Sequence, residues 1–190
     1  MTMVGKQVVV TGGTDGIGKV TARELAKHGA TVTIIGRNAT KGDSVVRELR
    51  ATTGSEAIHF VHADLSLRRG VNQAAAQLKE RMGQLHVLIN NAGGMFETRE
   101  LTADGIERTL ALNHLAYFSL TALTIDLLRA ADEARIVSVS SQMHAGATLD
   151  MQDLQNEKDY SGWKAYSRSK LANVYFTYEL ARRQIGRAHV

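Results

Sequence analysis

The sequence predicts an α/β fold in which a doubly wound parallel sheet has the strand order 3-2-1-4-5. Short apolar runs rich in β-branched residues recur along the chain, segments with helical spacing separate them, and a glycine-rich turn follows the first run directly. Strands that alternate with helices pair in parallel through right-handed crossovers, so helices are expected on both faces of the sheet. The ligand crevice of such a sheet lies at the carboxyl ends of strands 1 and 4, where the winding direction reverses.

Strands and helices are predicted in alternation. The strands are expected at residues 8–10, 32–35, 58–61, 85–89 and 136–139. The helices are expected at residues 17–28, 39–52, 69–82, 104–130 and from about 163 to 183. No internal repeat, linker or low-complexity stretch is present, so residues 1–183 are predicted to form a single domain.

The composition is that of a globular protein in a reducing compartment. Hydrophobic residues make up 44% of the 190 residues, which is ordinary for a soluble protein. Cysteine is absent, which excludes disulfides and thiolate metal sites and favours a cytoplasmic location. The apolar runs are interpreted as too short to cross a bilayer, and the first strand begins too early to leave room for a signal peptide.

The charged and imidazole side chains indicate neither a nucleic-acid partner nor a metal site. The net charge is +4, but the basic residues are scattered among acidic ones without an arm or a stripe. The seven histidines do not cluster. His59 and His62 are three residues apart in a predicted strand, so their side chains face opposite ways. No metal ligands are predicted.

The turn at residues 11–18, with the sequence TGGTDGIG, is the strongest signal for a ligand. Such a turn exposes backbone N–H groups at a helix N-terminus, where the partial positive charge favours a phosphate. Glycines are needed because side chains would block a pyrophosphate and the packing of helix on strand. An ordinary tight turn is the alternative. The candidate phosphate-binding residues are Thr11, Gly12, Thr14, Asp15, Gly16, Ile17 and Gly18.

The G-x-x-x-G-x-G spacing of this turn resembles that of the short-chain dehydrogenases/reductases, in their compact single-domain branch. The resemblance runs from about Gly5 to about Arg183. Further motifs follow in the family's order: NNAG at residues 90–93, an asparagine within a helix, a Ser-Ser pair after strand 5 and a Tyr-x-x-x-Lys pair. The resemblance implies a Rossmann-type domain that binds NAD(P) and transfers hydride between the nicotinamide and a carbonyl or alcohol.

The end of strand 2 predicts which dinucleotide is bound. An NAD-binding protein would carry an acidic residue about twenty positions past the glycine turn, to hold the ribose 2′-hydroxyl. Here Gly36 is followed by Arg37, whose guanidinium suits a 2′-phosphate, so NADP(H) is favoured over NAD(H). A surface arginine that opens a loop is the alternative. Asp15 argues against NADP(H), because related NADP enzymes often place a basic residue in that part of the turn.

Two further segments are expected at the cofactor. Asp64 and Leu65 follow strand 3, and the resemblance implies that they lie near the adenine. Alternatively, Asp64 or the serine two residues later caps the next helix. Asn91, Ala92 and Gly93 close strand 4, where small residues let the cofactor pass close to the backbone.

Asn113 and Ser141 are the first two predicted catalytic residues. Asn113 falls within a predicted helix, where asparagine is a poor helix former. It is either a hydrogen-bonded core residue or, as the resemblance implies, the asparagine that holds a water in the proton relay. The resemblance also implies that Ser141, the second serine of its pair, donates to the substrate oxygen. Strand alternation points Ser140 the other way.

Tyr166 and Lys170 complete the predicted catalytic set. They are four residues apart, so they share one face of the last predicted helix. A phenol with an ordinary pKa of about 10 is a poor acid–base group at neutral pH, but a nearby ammonium favours the phenolate. Many helices contain such a pair by chance. The resemblance implies that Tyr166 is the acid–base group, that Lys170 binds the nicotinamide ribose, and that both contact the cofactor.

The interval of 25 residues between Ser141 and Tyr166 is long for the family. It is similar to that of the retinol-dehydrogenase-like subgroup, in which an insertion follows the serine. The loop is expected to form part of the substrate wall. His144 within it either contacts the substrate or is solvated.

The combined prediction is an NADP(H)-dependent oxidoreductase that acts on a small molecule with a carbonyl, a primary alcohol or a secondary alcohol. A non-catalytic dinucleotide-binding module is the alternative. The helices around Asn113 and Tyr166 resemble the pair that forms a four-helix interface in this family. A homodimer or homotetramer is therefore expected, with Leu120, Leu123 and Leu127 facing the partner.

The end of the chain is expected to differ from the family. Members continue beyond the Tyr–Lys helix into another strand, a Pro-Gly turn over the nicotinamide and a substrate-binding segment, whereas this sequence has no proline. The residues IGRAHV at 185–190 match one reading frame of a common sequencing adapter. Residues 184–190 are therefore expected to be a non-native tail. The sheet is expected to lack the family's last strands, and the chain as written to have no measurable activity.

Overall fold

Five parallel strands form the central sheet. In the computed structural model, which describes residues 2–184, the strands are β1 (Gln7–Thr11), β2 (Thr31–Gly36), β3 (Ile58–His62), β4 (Val87–Asn90) and β5 (Arg135–Ser138). They lie in the order β3-β2-β1-β4-β5, and every neighbouring pair is parallel. The predicted α/β class and strand order are confirmed. Residues 185–190, which belong to the predicted tail, lie outside the described residues.

Helical segments connect the strands. The first three crossovers are α1 (Gly16–Lys27), α2 (Ala39–Thr53) and α3 (Arg68–Arg81). After β4, a continuous helical segment consists of α4 (Arg108–Leu110), a π-helical turn (Ala111–Leu115) and α5 (Ala116–Arg129). After β5 come a 3₁₀ turn (Gln142–His144) and α6 (Gly162–Gln184).

The central strands of the sheet are buried on both faces, although the edge strands β3 and β5 carry exposed side chains such as Val137, and side chains of β1 alternate between two hydrophobic clusters. Val8 and Val10 pack in one cluster with Leu49 of α2, whereas Val9 packs in the other with Leu120 of α5. A strand covered by helices on both sides reads as a continuous apolar run, which is what the sequence carries here. The two layers hold β1 and β4 side by side, so that their carboxyl ends meet at one edge of the molecule.

The helical segment after β4 begins later than predicted. A helix was expected from residue 104, but α4 begins at Arg108 because Glu107 caps it. The Glu107 carboxylate accepts hydrogen bonds from the backbone N–H groups of Thr109 (2.6 Å) and Leu110 (2.8 Å). Capping satisfies two of the N–H groups that a helix start leaves free.

By length and composition alone, the segment Arg108–Arg129 is long and apolar enough to cross a membrane. The interpretation that every apolar run is too short is wrong by that measure. In this fold the segment packs against α3, with Leu120 and Leu127 buried in the core. The prediction that these two leucines face a partner subunit is therefore wrong, because the face that carries them covers the sheet. Leu123 is only partly buried.

Candidate active site

The glycine turn between β1 and α1 lies directly against the end of β4. Gly12 has a φ of +65°, and a Cβ there would lie 2.9 Å from the Cα of Ala92. A Cβ on Gly18 would lie 2.5 Å from the amide nitrogen of Asn91. Both separations are too short for a side chain, so these two glycines allow the turn, α1 and β4 to meet.

Thr11, the last residue of β1, is hydrogen-bonded to the end of β4. Its hydroxyl oxygen accepts from the backbone N–H groups of Asn91 (2.8 Å) and Ala92 (2.9 Å), and its hydroxyl donates to the Ile89 carbonyl (3.3 Å). The Asn91 side-chain amide donates to the Thr11 carbonyl (2.9 Å). Thr11 is buried and is not among the residues that line the cleft.

A cleft of about 800 Å³ opens at the carboxyl ends of the strands, the expected position for a ligand in a doubly wound sheet. It brings together the following predicted cofactor residues: Gly12, Thr14, Asp15, Gly16, Ile17, Gly18, Arg37, Asp64, Leu65, Asn91, Ala92 and Gly93. The wall also contains residues that the sequence reasoning missed, namely Ile35, Gly36, Asn38, Lys41, Ala63, Gly94, Phe96 and Leu112. Most of these are chain neighbours of predicted residues, but Lys41 and Phe96 are not.

Two cations stand at the end of the cleft beside β2. Arg37 follows β2 and is exposed. Lys41 comes from the first turn of α2, and its ammonium lies 2.5 Å from Oδ2 of Asp15. Oδ1 of Asp15 accepts from the backbone N–H of Gly16 (2.9 Å). The hydrogen bond from Lys41, followed by that from Gly16, lowers the pKa of Asp15.

Asp64 closes a local turn rather than capping α3. Its Oδ1 accepts from the backbone N–H (3.0 Å) and the hydroxyl (2.7 Å) of Ser66. The first turn of α3 is instead capped from a distant segment, because the N–H of Arg68 donates to Asp104 (2.7 Å). The alternative interpretation of Asp64 or Ser66 as the helix cap is therefore wrong, and Asp64 lines the cleft.

Asn113 lies in the π-helical turn and is fully buried. Its side chain accepts from the Gly94 N–H (2.9 Å) and donates to the Gly94 carbonyl (2.9 Å) and to the Ser169 hydroxyl (3.0 Å). Its backbone carbonyl accepts from the Asn173 amide (2.8 Å). The residue thus joins the segment after β4 to α6. No pattern in the sequence indicated the π-helical turn, a feature frequent at functional sites.

Lys170 brings a buried cation to the edge of the cleft. Its ammonium donates to the Val139 carbonyl (2.9 Å) and lies 5.5 Å from the ring centroid of Tyr166 and 5.7 Å from that of Tyr117. The residue is 3% exposed, and burial lowers its pKa to about 8. A Cβ on Gly93 would lie 3.6 Å from the ammonium nitrogen, so Lys170 borders the cofactor cleft.

The two serines after β5 have different partners. The Ser140 hydroxyl donates to the Lys170 carbonyl (2.9 Å), which anchors α6 to the end of the strand. The Ser141 hydroxyl oxygen accepts from the N–H of Met143 (3.3 Å) at the start of the 3₁₀ turn. His144 folds back over this turn, with Nδ1 2.6 Å from the Ser141 carbonyl oxygen.

The loop before α6 is bonded to the segment after β4. The Gln155 side chain accepts from the N–H of Glu107 (2.9 Å), and the Tyr160 hydroxyl donates to the Phe96 carbonyl (2.9 Å). The Arg108 guanidinium lies 4.1 Å from the ring centroid of Phe96, which lines the cleft. An irregular loop has no periodicity that could have indicated these contacts.

The same loop also encloses a smaller cavity of about 200 Å³, next to α6 and the Arg108–Arg129 segment. Leu149, Met151 and Leu154 line it from the loop, and His114 lines it from the π-helical turn. Burial lowers the pKa of His114, although its hydrogen-bonding contact with Asn173 acts in the opposite direction. The predicted substrate-wall loop thus lines a cavity beside α6.

Comparisons with known proteins agree with this geometry. Residues 6–187 match the family model for short chain dehydrogenases. The chain is 46% identical to retinol dehydrogenase 12 of Homo sapiens over 182 residues and 43% identical to polyprenol dehydrogenase of Homo sapiens over 178 residues. Among solved structures, the Pseudomonas aeruginosa RhlG/NADP active-site complex aligns with a TM-score of 0.81 at 28% identity, covering 100% of this chain and 71% of that one.

The matches cover almost all of this chain but only part of each curated relative. They include 96% and 92% of this chain, and 58% and 54% of the two dehydrogenases. Within that span, the glycine turn, the NNAG segment, the buried asparagine and the Tyr–Lys pair surround one edge of a 3-2-1-4-5 sheet. The chain belongs to the short-chain dehydrogenase family.

Proposed function

We propose that this protein is an NADP(H)-dependent oxidoreductase that interconverts a carbonyl group and an alcohol on a small molecule. The observation that carries the proposal is the position of the Lys170 ammonium, 5.5 Å from the Tyr166 ring centroid and next to Gly93 of the cleft. A group able to transfer a proton thereby stands beside a cleft large enough for a dinucleotide. A non-catalytic binding module does not require this pairing.

The residues of the cleft fit a nicotinamide dinucleotide. Gly12 and Gly93 keep its wall free of side chains at positions where a Cβ would crowd Ala92 or Asn113. An ammonium has three N–H donors. Among the described residues the Lys170 ammonium donates only to the Val139 carbonyl, so two donors are available to ribose hydroxyls. When bound, the nicotinamide supplies or accepts the hydride.

The chain's own side chains handle the proton and the oxygen. The Tyr166 hydroxyl gives a proton to the carbonyl oxygen during reduction and takes one from the alcohol during oxidation. The Lys170 ammonium stabilises the phenolate that forms at Tyr166. The Ser141 hydroxyl oxygen accepts from Met143, so its hydrogen remains free to donate to the substrate oxygen. The Asn113 carbonyl has a second lone pair, besides the one used by Asn173, for a relay water.

The substrate class is proposed from the matched relatives. Two matched relatives are named as dehydrogenases of retinol and of polyprenol, which favours a primary alcohol or its aldehyde. The described chain spans a little more than half of each, so a wider range of carbonyl compounds belongs in the test.

Tyr166→Phe tests the proposed chemistry. Turnover of a panel of aldehydes and ketones is measured with NADPH, in the chain as written and in a version extended with the C-terminal segment of a relative. We expect the substitution to lower kcat by roughly 10²–10⁴, the usual contribution of a positioned acid–base group. NADPH binding, followed by fluorescence, is expected to persist. Near-parental turnover in the phenylalanine variant contradicts the assignment, and binding without turnover in every version favours the non-catalytic module.

Arg37→Ala tests the proposed preference for NADP(H). The guanidinium is exposed at the end of β2, where it can pair with a 2′-phosphate. Removing a charge-assisted bond of this kind is expected to raise the Kd for NADPH roughly tenfold. The Kd for NADH, which lacks that phosphate, is expected to change little. Equal losses for both cofactors contradict the preference.

We further propose that the protein is cytoplasmic and self-associates through its helices. The absence of cysteine supports a reducing compartment. The packing of Arg108–Arg129 against α3 supports a core role for that apolar segment. Recovery of the expressed protein in a membrane fraction contradicts the proposed location.

A further inference from the structure

Asp15 joins two groups that are suited to bind phosphate. Its Oδ1 accepts from the backbone N–H of Gly16 at the start of α1, and its Oδ2 accepts from the ammonium of Lys41 in the first turn of α2. All three residues line the cleft. The carboxylate therefore bridges the glycine turn to the segment that follows Arg37.

These contacts use the ligands that an anionic cofactor would need. Helix-start N–H groups and lysine ammonium groups both bind phosphate. Lys41 lies four residues after Arg37, at the end of the cleft where a doubly wound sheet holds the adenosine ribose. A 2′-phosphate at Arg37 would have Lys41 as a second available cation.

The Asp15–Lys41 contact is placed where it can be exchanged. The two side chains are 81% and 46% exposed, and ion pairs between exposed side chains contribute little to stability. A phosphate that carries nearly two charges binds an ammonium more strongly than a carboxylate with one. The lysine can leave Asp15 for a phosphate without disturbing a buried contact.

We propose that Asp15 competes with the 2′-phosphate of NADP(H) for Lys41, and so limits the preference for NADP(H) over NAD(H). This inference rests on the proposed function, because it concerns the same cofactor cleft. Lys41 becomes a second specificity-determining cation beside Arg37. Asp15 is then an internal anion that occupies Lys41 when no 2′-phosphate is bound.

Asp15→Asn separates the charge of Asp15 from its structural contact. The asparagine oxygen still accepts from Gly16 N–H, and asparagine is a good helix N-cap, but it no longer attracts Lys41 as an anion. We expect the Kd for NADPH to fall by roughly tenfold, the size of a charge-assisted contact, and the Kd for NADH to fall much less. Lys41→Met is expected to raise the Kd for NADPH by a similar factor and to leave NADH nearly unchanged.

The double variant identifies the mechanism. If Asp15 acts through Lys41, Asp15→Asn in the Lys41→Met background changes the NADPH and NADH affinities by the same small factor. Glu24→Gln is the matched control, because it removes one carboxylate from within α1, about nine residues or 13 Å along the helix from the N-cap Asp15. Glu24 pairs with Arg23 and Lys27 outside the cleft, so this variant is expected to leave both affinities unchanged.

The titrations distinguish a failure of this inference from a failure of the proposed function. Each variant is titrated with NADPH and NADH by fluorescence, and its thermal transition is compared with that of the parent. Failure of the folded parent to bind either cofactor overturns the proposed function. Binding by the parent, with a ratio of the two Kd values that Asp15→Asn leaves unchanged, overturns the competition alone. If the asparagine variant does not fold, Asp15→Ser keeps an N-cap oxygen without charge and gives the same comparison.

Discussion

Lys170 is charged in a position where water hardly reaches. The residue is 3% exposed, and burial lowers its pKa to about 8. An unfolded lysine has a pKa of about 10.4. Between about pH 8 and 10.4 the unfolded chain therefore binds more protons than the folded one, and the free energy of unfolding rises with pH. Below pH 8 the folded state bears the full unfavourable free energy of burying this charge. The proposed catalytic role requires the charge to be present.

Lys170→Met removes the charge and preserves much of the side-chain length. We expect the free energy of unfolding of the cofactor-free protein to increase at pH 7, by about 1–3 kcal/mol after loss of the bond to Val139. The difference is expected to shrink as the pH rises from 8 to 10, because the parent then loses its own buried charge. Urea unfolding of both proteins at three pH values measures this.

The control for that substitution is Lys164→Met, which removes a partly exposed lysine from the same helix. Its effect on the free energy of unfolding should be small at every pH. A Lys170→Met variant that is less stable than the parent at pH 7, or whose effect does not vary with pH, contradicts the stated origin of the shift. The same variant is expected to bind NADPH more weakly.

Single site residues could be predicted where spacing along the chain indicated them, and not where their role depends on a contact made by the fold. Tyr166 and Lys170 are four residues apart in one helix, so their common face followed from spacing alone. Arg37 followed from counting along the chain to the end of a strand. Lys41 had no such signal, because its relevance depends on α2 bringing it to Asp15, 26 positions earlier in the sequence. Phe96 was missed for the same reason.

At the scale of elements, α6 is held against the preceding helical segment by buried polar side chains. The Asn173 amide donates to the Asn113 carbonyl (2.8 Å), and its Oδ1 lies 3.0 Å from Nδ1 of His114. Asn113 also donates to Ser169. We call these four hydrogen-bonded residues, Asn113, His114, Ser169 and Asn173, the polar seam. Because buried polar groups are costly when unpaired, this seam fixes the register of α6 and thereby the positions of Tyr166 and Lys170.

Asn173→Leu tests the seam with a side chain of similar size. The substitution leaves the Asn113 carbonyl with one fewer donor and the His114 ring without its partner. We expect the free energy of unfolding to fall by about 2–4 kcal/mol, since each unpaired buried group costs about 1–3 kcal/mol. Asn72→Leu, at an exposed position of α3, is the control and should change stability little. Equal stability of the two variants contradicts a structural role for the seam.

The elements themselves were predicted to different degrees. The positions of the buried strands could be predicted from continuous apolar runs, because a strand covered by helices on both faces needs apolar residues at successive positions. The start of α4 could not, because Gly105 adopts a left-handed turn conformation (φ +74°) and Glu107 then caps the helix by side-chain contacts that no local pattern indicates. The π-helical turn at Asn113 likewise depends on tertiary hydrogen bonds to Gly94 and Asn173 rather than on local propensity.

At the scale of the whole molecule, the outer surface of α5 and α6 carries large exposed side chains. Phe118 of α5 is 52% exposed, and its ring centroid lies 5.7 Å from that of Phe176 in α6. Tyr175 and Tyr178 are 57% and 72% exposed and, being three residues apart, share one side of α6. Phe118 and Phe176 adjoin one another across the two helices, and exposed apolar groups arranged in this way are typical of an interaction surface. The expected interface therefore moves to this surface from Leu120 and Leu127, which are buried in the core.

We expect the protein to self-associate at micromolar concentration through the surface formed by Phe118 and Phe176, because a symmetric pair of copies would cover these aromatic rings. Sedimentation equilibrium measures the association. Phe118→Glu places like charges opposite one another in a symmetric interface and is expected to yield monomers that retain their circular dichroism and their NADPH affinity. Val4→Glu changes another exposed apolar residue, 73% exposed and outside both helices, and should leave the association intact. A parent that sediments as a monomer contradicts the expected self-association. If the Val4 variant dissociates as readily as the Phe118 variant, the effect follows from net charge rather than from the loss of these particular contacts.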